Sequence, residues 1–426
     1  MPPKARVRIK TIPVYSTRRE TRSATKPQRD AALRKIRRAA EKEARDLKTR
    51  RERAAANRKP GAPGERNDGS LHIAFIPMGQ GDCIVLCTPG GRVILFDCGS
   101  LGTEKADENL TDAQADKVLV DRALDTLKNR KFLGKVNGID ILILTHPDAD
   151  HCNKLKKVIP DDCKIYKCYH SAEFGEYTGG EASSFLRKKM RDPAILKVVK
   201  NHDPNHGVNG QVTLGGKPVK AATATEKVDR LDGKGERNEK GEKVGQDGIL
   251  IVDETNCKVS ILAAGVKYDY ATDHATDPNR ASIVTLVEAF GEKLLLCGDA
   301  TTSTEEFLLN TAWGRLKDLT LVQAAHHGSV TTSSSPKFVD WVNPKIVVAS
   351  AGKEIKKHHH PSREVIQGYV DKLEKEKRTD RLKAEHETFI WELNKGGNRS
   401  PKSIWSRRKV YTTGSYGAVT LKYPES

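Results

Sequence analysis

The chain has 426 residues and a formal charge of +18 at pH 7, from 74 Lys and Arg against 56 Asp and Glu. That length suits two or three domains, or one layered unit of more than roughly 300 residues with a sizeable core. No run of about 18 apolar residues and no signal-peptide core occurs, which excludes helical membrane spans and makes the cytoplasm the expected location.

The positive charge is uneven. Residues 1–60 hold 21 Lys and Arg against 6 Asp and Glu, so most of the excess belongs to a tail. Residues 1–27 mix Arg, Thr, Pro and Ser without periodicity and are expected to be disordered. Over 28–58, Leu33, Ile36, Ala40, Ala44 and Leu47 recur at steps of three and four, which predicts a basic helix with one thin apolar stripe. Such a helix is either merely solvated, a clamp for nucleic acid, or a docking element for a protein partner. Residues 59–70, rich in Gly and Pro, read as a linker.

A folded unit is expected over 71–426. "LHIAFIPM", "DCIVLCT" and "GGRVILFDCGS" predict a β-meander, and Val118, Leu119, Leu124 and Leu127 predict a helix within 112–134. The strand "GIDILILTH" follows, then "KIYKCYH", a helix near 181–191 and a polar, Gly/Lys/Glu-rich insertion near 203–249 that reads as flexible. Strands resume with "GILIVDE", "KVSILAAG" and "IVTLVEAFGEKLLLCGDA". A helix near 303–312, the strands "LTLVQAAHHGS" and "PKIVVASAG", and an amphipathic helix over 362–377 come next. "VYTTGSYGAVTLKY" is expected to close the chain as a hairpin. Two rounds of strands with appended helices predict an α+β layered fold, two sheets face to face with helices outside.

The densest chemistry lies at 144–155, "LTHPDADHCNKL", where His146, Asp148, Asp150 and His151 follow an apolar strand. A solvated loop needs no such order. Alternate residues leaving a strand share a face and a turn can bring the last histidine back, so four donors converge; a divalent cation offsets the cost of burying carboxylates together. Acidic or histidine residues also end three other strands: Asp97, Asp299 and the pair His326 and His327. The eight cysteines form no CxxC pair; Cys98, Cys152 and Cys297 read as small core residues.

In order and spacing, "MGQGDCIVL", "GGRVILFDCGS", "LTHPDADH", "LLLCGDAT", "AAHHGSVTTSSSPKFVDWVNPKIVVASAG" and "HHHPS" resemble the metallo-β-lactamase superfamily, and within it the soluble domain of ComEC-type DNA-uptake proteins. The resemblance runs from about residue 71 to 424, outside the insertion and loosely matched loops. It implies an αββα sandwich, preceded here by the basic tail, with two divalent cations, Mn²⁺ or Zn²⁺, at one edge. By the same likeness His146 and Asp148 serve one metal, Asp150 and His151 the other, and Asp299 bridges them. Either His326 or His327 supplies a late ligand, and Asp97 supports the ligands from behind. Members often carry a further histidine between the opening motif and the bridging aspartate. His170, His202 and His206 lie in that interval, but none sits in a matching motif; these three, with His274 and His386, read as ordinary surface or core histidines.

The chemistry implied is metal-dependent phosphodiester hydrolysis, with DNA bound through the active site and basic tail. Asp150 would orient the attacking water. His360, or His358 two positions before it, is expected at the scissile phosphate, the rival being a surface histidine cluster. Ser329 and Ser333 to Ser335 either bind phosphates or cap the next helix. Gln80 and Asp82 belong to the same likeness, as buried support or in catalysis. Two rival functions remain: a hydrolase of small phosphodiesters, thioesters or lactams, and a nucleic-acid or partner-binding module with a degenerate site.

Overall fold

The computed structural model describes residues 66–102, 111–129, 131–133, 138–172, 174–189, 196–198, 211–214, 217–220, 248–266, 274–352, 358–376, 382–394 and 396–424. All belong to one compact unit, Pro60–Ser426. The expected tail, the 28–58 helix, most of the linker, His202 and His206 lie outside the described residues. So does most of 203–249, within which Gln211–Leu214 and Lys217–Lys220 pair as a short hairpin.

Leu71–Phe75, Ile84–Cys87 and Val93–Phe96 form the expected antiparallel meander. Every residue in these strands is buried, because both faces of the sheet are covered. Ile73, Phe75, Leu86, Ile94 and Phe96 pack between the sheets. Ala74, Val85, Val93 and Leu95, pointing the other way, pack against Leu119, Ala123 and Leu127 of the helix Asp112–Lys128. That helix starts at a capping box: Gln114 N donates to the Thr111 hydroxyl at 3.3 Å, and Thr111 N donates to Gln114 Oε1 at 2.8 Å.

Parallel strands Ile141–Leu144, Cys168–His170 and Leu196–Val198 widen this sheet, and Val419–Tyr423 closes its other edge beside Leu71–Phe75. The second seven-stranded sheet starts as an antiparallel meander, Ile249–Glu254, Cys257–Ala263, Val284–Ala289 and Glu292–Leu296. It continues with parallel Leu321–Gln323, Ile346–Ala349 and Val410–Thr412. Val259, Ile261 and Leu286 meet the first sheet in one core, which Phe307, Phe338, Ile366 and Tyr369 of the flanking helices Thr302–Thr311, Pro336–Val342 and Arg363–Lys375 also enter. The layering is the expected αββα sandwich. Among the described residues, no helix is long and apolar enough to cross a membrane.

The structure corrects the expected closing hairpin. Val410–Thr412 lies parallel to Ile346–Ala349 in the second sheet, whereas Val419–Tyr423 belongs to the first. The short helix Thr413–Tyr416 lies between them, where the chain passes from the second sheet to the first. A long hairpin that sequence patterning passed over, His386–Leu393 with Arg399–Ser406, stands outside both sheets. Its exposed Lys402 and Trp405 mask the alternation.

This topology fixes where the chemistry sits. Asp97 follows Val93–Phe96, His146 follows Ile141–Leu144, Asp299 follows Glu292–Leu296, and the His326–His327 pair follows Leu321–Gln323. All four leave C-terminal ends of strands that run parallel to a neighbour, so both sheets deliver their loops to one edge.

Candidate metal centre

The loop that carries Asp148, Asp150 and His151 is clamped by its main chain. Asp82 N donates to Asp150 O at 3.1 Å, Cys98 N to His151 O at 2.8 Å, and Lys154 N to Cys98 O at 2.9 Å. Gly99 permits this approach: a Cβ there would lie 2.2 Å from the Asp150 carbonyl carbon and 2.4 Å from His151 N. Behind the loop, Asp97 accepts the Thr145 N–H at 2.8 Å and the Thr145 hydroxyl at 2.5 Å. Asp97 Oδ2 also accepts the His151 Nδ1–H at 2.8 Å, so His151 presents Nε2 to the site.

Four histidines surround the carboxylate of Asp299. His146 Nε2 and His326 Nε2 stand 3.7 and 3.4 Å from Oδ2; His151 Nε2 and His327 Nε2 stand 3.2 and 3.5 Å from Oδ1. Asp150 Oδ2 lies 3.3 Å from His327 Nε2, and Asp148 Oδ2 lies 3.6 Å from His146 Nε2. Each ring is held by its other nitrogen. His327 Nδ1 donates to Ser350 O at 2.9 Å, His326 Nδ1 bonds the Thr332 hydroxyl at 2.6 Å, and His146 Nδ1 reaches Thr145 Oγ1 at 3.2 Å and Ser282 Oγ at 3.4 Å. Ser282 Oγ in turn accepts the Asp299 N–H at 3.1 Å.

These residues fit divalent cations. The Nε2 atoms of His146, His151 and His327 and Oδ1 of Asp299 are buried without a hydrogen-bond partner. Such orphaned atoms are costly unless something else binds them. Ligands about 2.1 Å from a cation in tetrahedral geometry stand about 3.4 Å from one another, close to the separations here. His146, His151 and Asp299 form one compact triad of donors, and Asp150, His151 and His327 another.

The electrostatics carry the same demand for positive charge. Burial would raise the Asp299 pKa, yet His327, His326 and His151 outweigh it and hold the carboxyl well below its ordinary range. Asp150, likewise buried, is held down to about 2 by the close approach of His327 and by the charges of His151 and His327. Burial opposes charge on His151 and His327, but Asp299 leads the interactions that raise both, His327 to about 9. The clustered carboxylates favour positive charge beside them, and ligand deprotonation accompanies metal binding.

Backbone strain marks the same spot. His326, His327 and Gly328 have φ of 50°, 55° and 84°, and left-handed backbone at two successive non-glycine residues costs about 1–3 kcal/mol each. Both rings reach Asp299 through that turn.

Residues 76–234, which include Asp82, Asp97 and the whole His146–His151 motif, match the metallo-beta-lactamase superfamily. Over those residues the chain carries a metallo-beta-lactamase superfamily domain. Superfamily members are generally metal-dependent hydrolases that use divalent metals, often zinc. ComE operon protein 3 of Bacillus subtilis is 24% identical over 300 residues, 69% of this chain and 30% of that protein. Competence protein ComA of Neisseria gonorrhoeae is 42% identical over 94 residues, 22% of this chain and 13% of that protein. The chain thus spans less than a third of the length of either relative. Among solved structures, CmlA, a diiron beta-hydroxylase of Streptomyces venezuelae, is similar with a TM-score of 0.34 at 12% identity, over 74% of this chain and 52% of CmlA.

Within the superfamily domain, most residues singled out by sequence meet at the cluster, and some do not. Asp82 is buried beside His151, and burial raises its pKa. Gln80 is buried; its main-chain oxygen accepts from Leu101 N at 2.7 Å. His360 is 9% exposed, with its ring 5.7 Å from that of His326, whereas His358 is exposed. The structure therefore puts His360, and not His358, at the cluster.

The serines have structural engagements. Ser333 Oγ donates to the carbonyls of Ala325 and Ser329, the main-chain nitrogens of Ser334 and Ser335 donate to Glu305, and Ser335 caps the helix Pro336–Val342. The buried hydroxyl of Ser333 is thus used on the main chain. Ser329 is also buried, with its hydroxyl 3.3 Å from that of Thr331. His170 turns Nδ1 to Ala172 O at 2.9 Å, and His274 is exposed. Sequence reasoning missed Thr145, Ser282, Gln323 and Thr332. Gln323 had a visible signal, as the one polar residue in the apolar run "LVQAA"; Ser282 and Thr332 had none.

Proposed function

We propose that this chain is a metal-dependent phosphodiester hydrolase working with two divalent cations, Mn²⁺ or Zn²⁺, and that its substrate is DNA. The observation that carries this is the convergence of four Nε2 atoms on the two oxygens of Asp299, each ring fixed through Nδ1. A cation pair held there supplies Lewis acidity and lowers the pKa of water towards neutrality. His146, Asp148, Asp150, His151, Asp299 and the His326–His327 pair hold the cations, and Asp97 fixes the tautomer of His151. Asp150, whose Oδ2 lies 3.3 Å from His327 Nε2, also orients the attacking water.

His360 meets the substrate. Burial first, then His326 and His327, push its pKa down to about 2, so the ring is neutral, and its Nδ1 is buried without a partner. A neutral imidazole can donate a hydrogen bond to a phosphate oxygen as negative charge grows there. The preference for DNA rests on the competence names of two relatives and on the 21 Lys and Arg of residues 1–60, which add phosphate affinity that weakens with salt.

The test is cleavage of single- and double-stranded DNA and RNA at low salt by metal-stripped protein resupplied with Mn²⁺, Zn²⁺ or Mg²⁺, with Asp150→Ala as control. Metal-dependent DNA cleavage absent from the control is expected. Metal binding without cleavage of any polymer would move the substrate to small phosphodiesters, and failure to bind metal would leave a binding module.

A further inference from the structure

The hairpin His386–Leu393 with Arg399–Ser406 belongs to neither main sheet. We infer that its outer face is a docking surface for single-stranded DNA; that the bound strand is led on to the metal centre rests on the nuclease reading of that centre. Pairing sets Glu387 opposite Trp405, Phe389 opposite Ser403, Trp391 opposite Pro401 and Leu393 opposite Arg399. Directly opposed residues share a face, so all of these lie on one side. On the other side Thr388, Ile390 and Ile404 are buried, and Ile390 and Ile404 join the main core. The side of Trp405 is therefore the outer one.

Charge and aromatic surface coincide there. Residues 399–409, "RSPKSIWSRRK", hold five Arg and Lys and no Asp or Glu. Arg408 is buried on Glu374 at 2.9 Å, but Lys402 and Arg407 are exposed, and Trp405 between them is 62% exposed. Glu387, the acid opposite Trp405, is engaged by the Ser403 hydroxyl. Lys and Pro on the free edge of a two-stranded sheet can guard it against pairing with other chains, but a bare tryptophan works against that guard. Exposed cations flanking an exposed ring suit a single strand, whose phosphates meet the cations while its unpaired bases stack on the ring. A duplex keeps its base faces stacked on one another and offers the indole nothing.

The hairpin is bonded to the loop that carries His360. Trp391 N donates to Pro361 O at 2.8 Å, and Arg399 Nη1 donates to His359 O at 3.1 Å and to Ser362 Oγ at 2.9 Å. Ser362 N donates to Gly328 O at 2.9 Å, one residue past His327. Rings follow the same route. The His360 ring lies 5.7 Å from that of His326, His359 lies 4.3 Å from Trp391, and Trp391 lies 5.7 Å from Phe389 on the outer face. Glu387, opposite Trp405, is four residues from Trp391, about 14 Å along the strand. Trp391 is 8% exposed and its Nε1 is buried without a hydrogen-bond partner, a donor on this route for a phosphate oxygen or a base edge.

The test is binding by full-length, metal-free protein, in which affinity does not depend on hydrolysis. Labelled oligothymidylate and a mixed-sequence duplex are titrated, reading anisotropy and the quenching of tryptophan emission, with thermal melting as the fold control. Trp405→Ala is expected to weaken oligothymidylate binding by at least about fivefold, to remove most of the quenching and to leave duplex affinity unchanged. Trp405→Phe, which keeps a stacking ring, should restore most of the affinity. Arg407→Gln should weaken the single strand at low salt and flatten its salt dependence. The basic residues 1–60 are common to every variant, so a loss confined to single strands belongs to the hairpin. Wild-type oligothymidylate affinity in Trp405→Ala, or an equal loss for both polymers, would overturn the docking surface. A parallel cleavage assay with added cations separates the two readings. If wild type binds single strands through Trp405 but cuts no DNA, the nuclease reading falls and the docking surface is supported; if wild type cuts DNA while Trp405→Ala binds single strands normally, the docking surface alone falls.

Discussion

Gln323 and Asp82, 241 residues apart, tie the edges of the two sheets together directly beneath the histidine cluster. Gln323 Nε2 donates to Asp82 Oδ2 at 2.8 Å, and its Oε1 accepts the Cys297 N–H at 2.9 Å, two residues before Asp299. One amide thus fixes the first hairpin of the first sheet and the strand end that presents the shared carboxylate. Gln323→Leu should leave Asp82 buried with neither oxygen hydrogen-bonded, at a cost of about 2–3 kcal/mol. Urea unfolding measures that loss, and cation titration should show weaker binding in the same variant.

Asp97 acts on His151 through the tautomer. A carboxylate can only accept, so it keeps the proton on Nδ1 and the lone pair on Nε2. In Asp97→Asn an amide turned to keep the Thr145 N–H bond presents NH₂ to Nδ1 and moves the ring proton to Nε2. Cation affinity is expected to fall roughly 10- to 100-fold. Retention of wild-type affinity in Asp97→Asn would show that His151 does not depend on Asp97.

On the proposed reading, His360 contacts the substrate and holds no cation. His360→Gln should lower kcat by about 100-fold or more while cation stoichiometry stays at the wild-type value. The same variant at His358, which is exposed, should change kcat little. Parallel turnover and metal analysis on both variants checks the pair of expectations.

Asp116 links the helix Asp112–Lys128 to the segment just after the metal-binding motif. Its carboxylate meets Lys154 Nζ and Lys157 Nζ, each at 2.5 Å. Burial pushes its pKa up, but the hydrogen bonds and charges of Lys154 and Lys157 prevail and hold it below the ordinary 3.8. A depressed carboxyl pKa stabilises the fold fully above the unfolded value and less as pH falls through the folded one. Asp116→Asn should therefore cost about 1 kcal/mol at pH 7, with the difference from wild type shrinking below about pH 4. Denaturant unfolding at pH 7 and pH 3 gives the comparison.

Much of this protein was legible in its sequence for local reasons. Apolar runs of four to eight residues marked the strands of both sheets, and Val118, Leu119, Leu124 and Leu127 at helical spacing marked the long helix. His146, Asp148, Asp150, His151 and Asp299 declared themselves because charged and imidazole groups at strand ends are costly without a shared partner.

What tertiary structure alone decided was partnership across the chain. No local pattern could say that Val410–Thr412 and Val419–Tyr423 go to different sheets, because either alternation would also fit a hairpin. Nor could it say that His326 and His327 face opposite oxygens of Asp299. That follows from left-handed backbone at both residues, held in place by Thr332 on one side and Ser350 on the other. Sequence fixes which donors exist; which of them share a point in space depends on loops from two sheets meeting at one edge, a distance no spacing along the chain records.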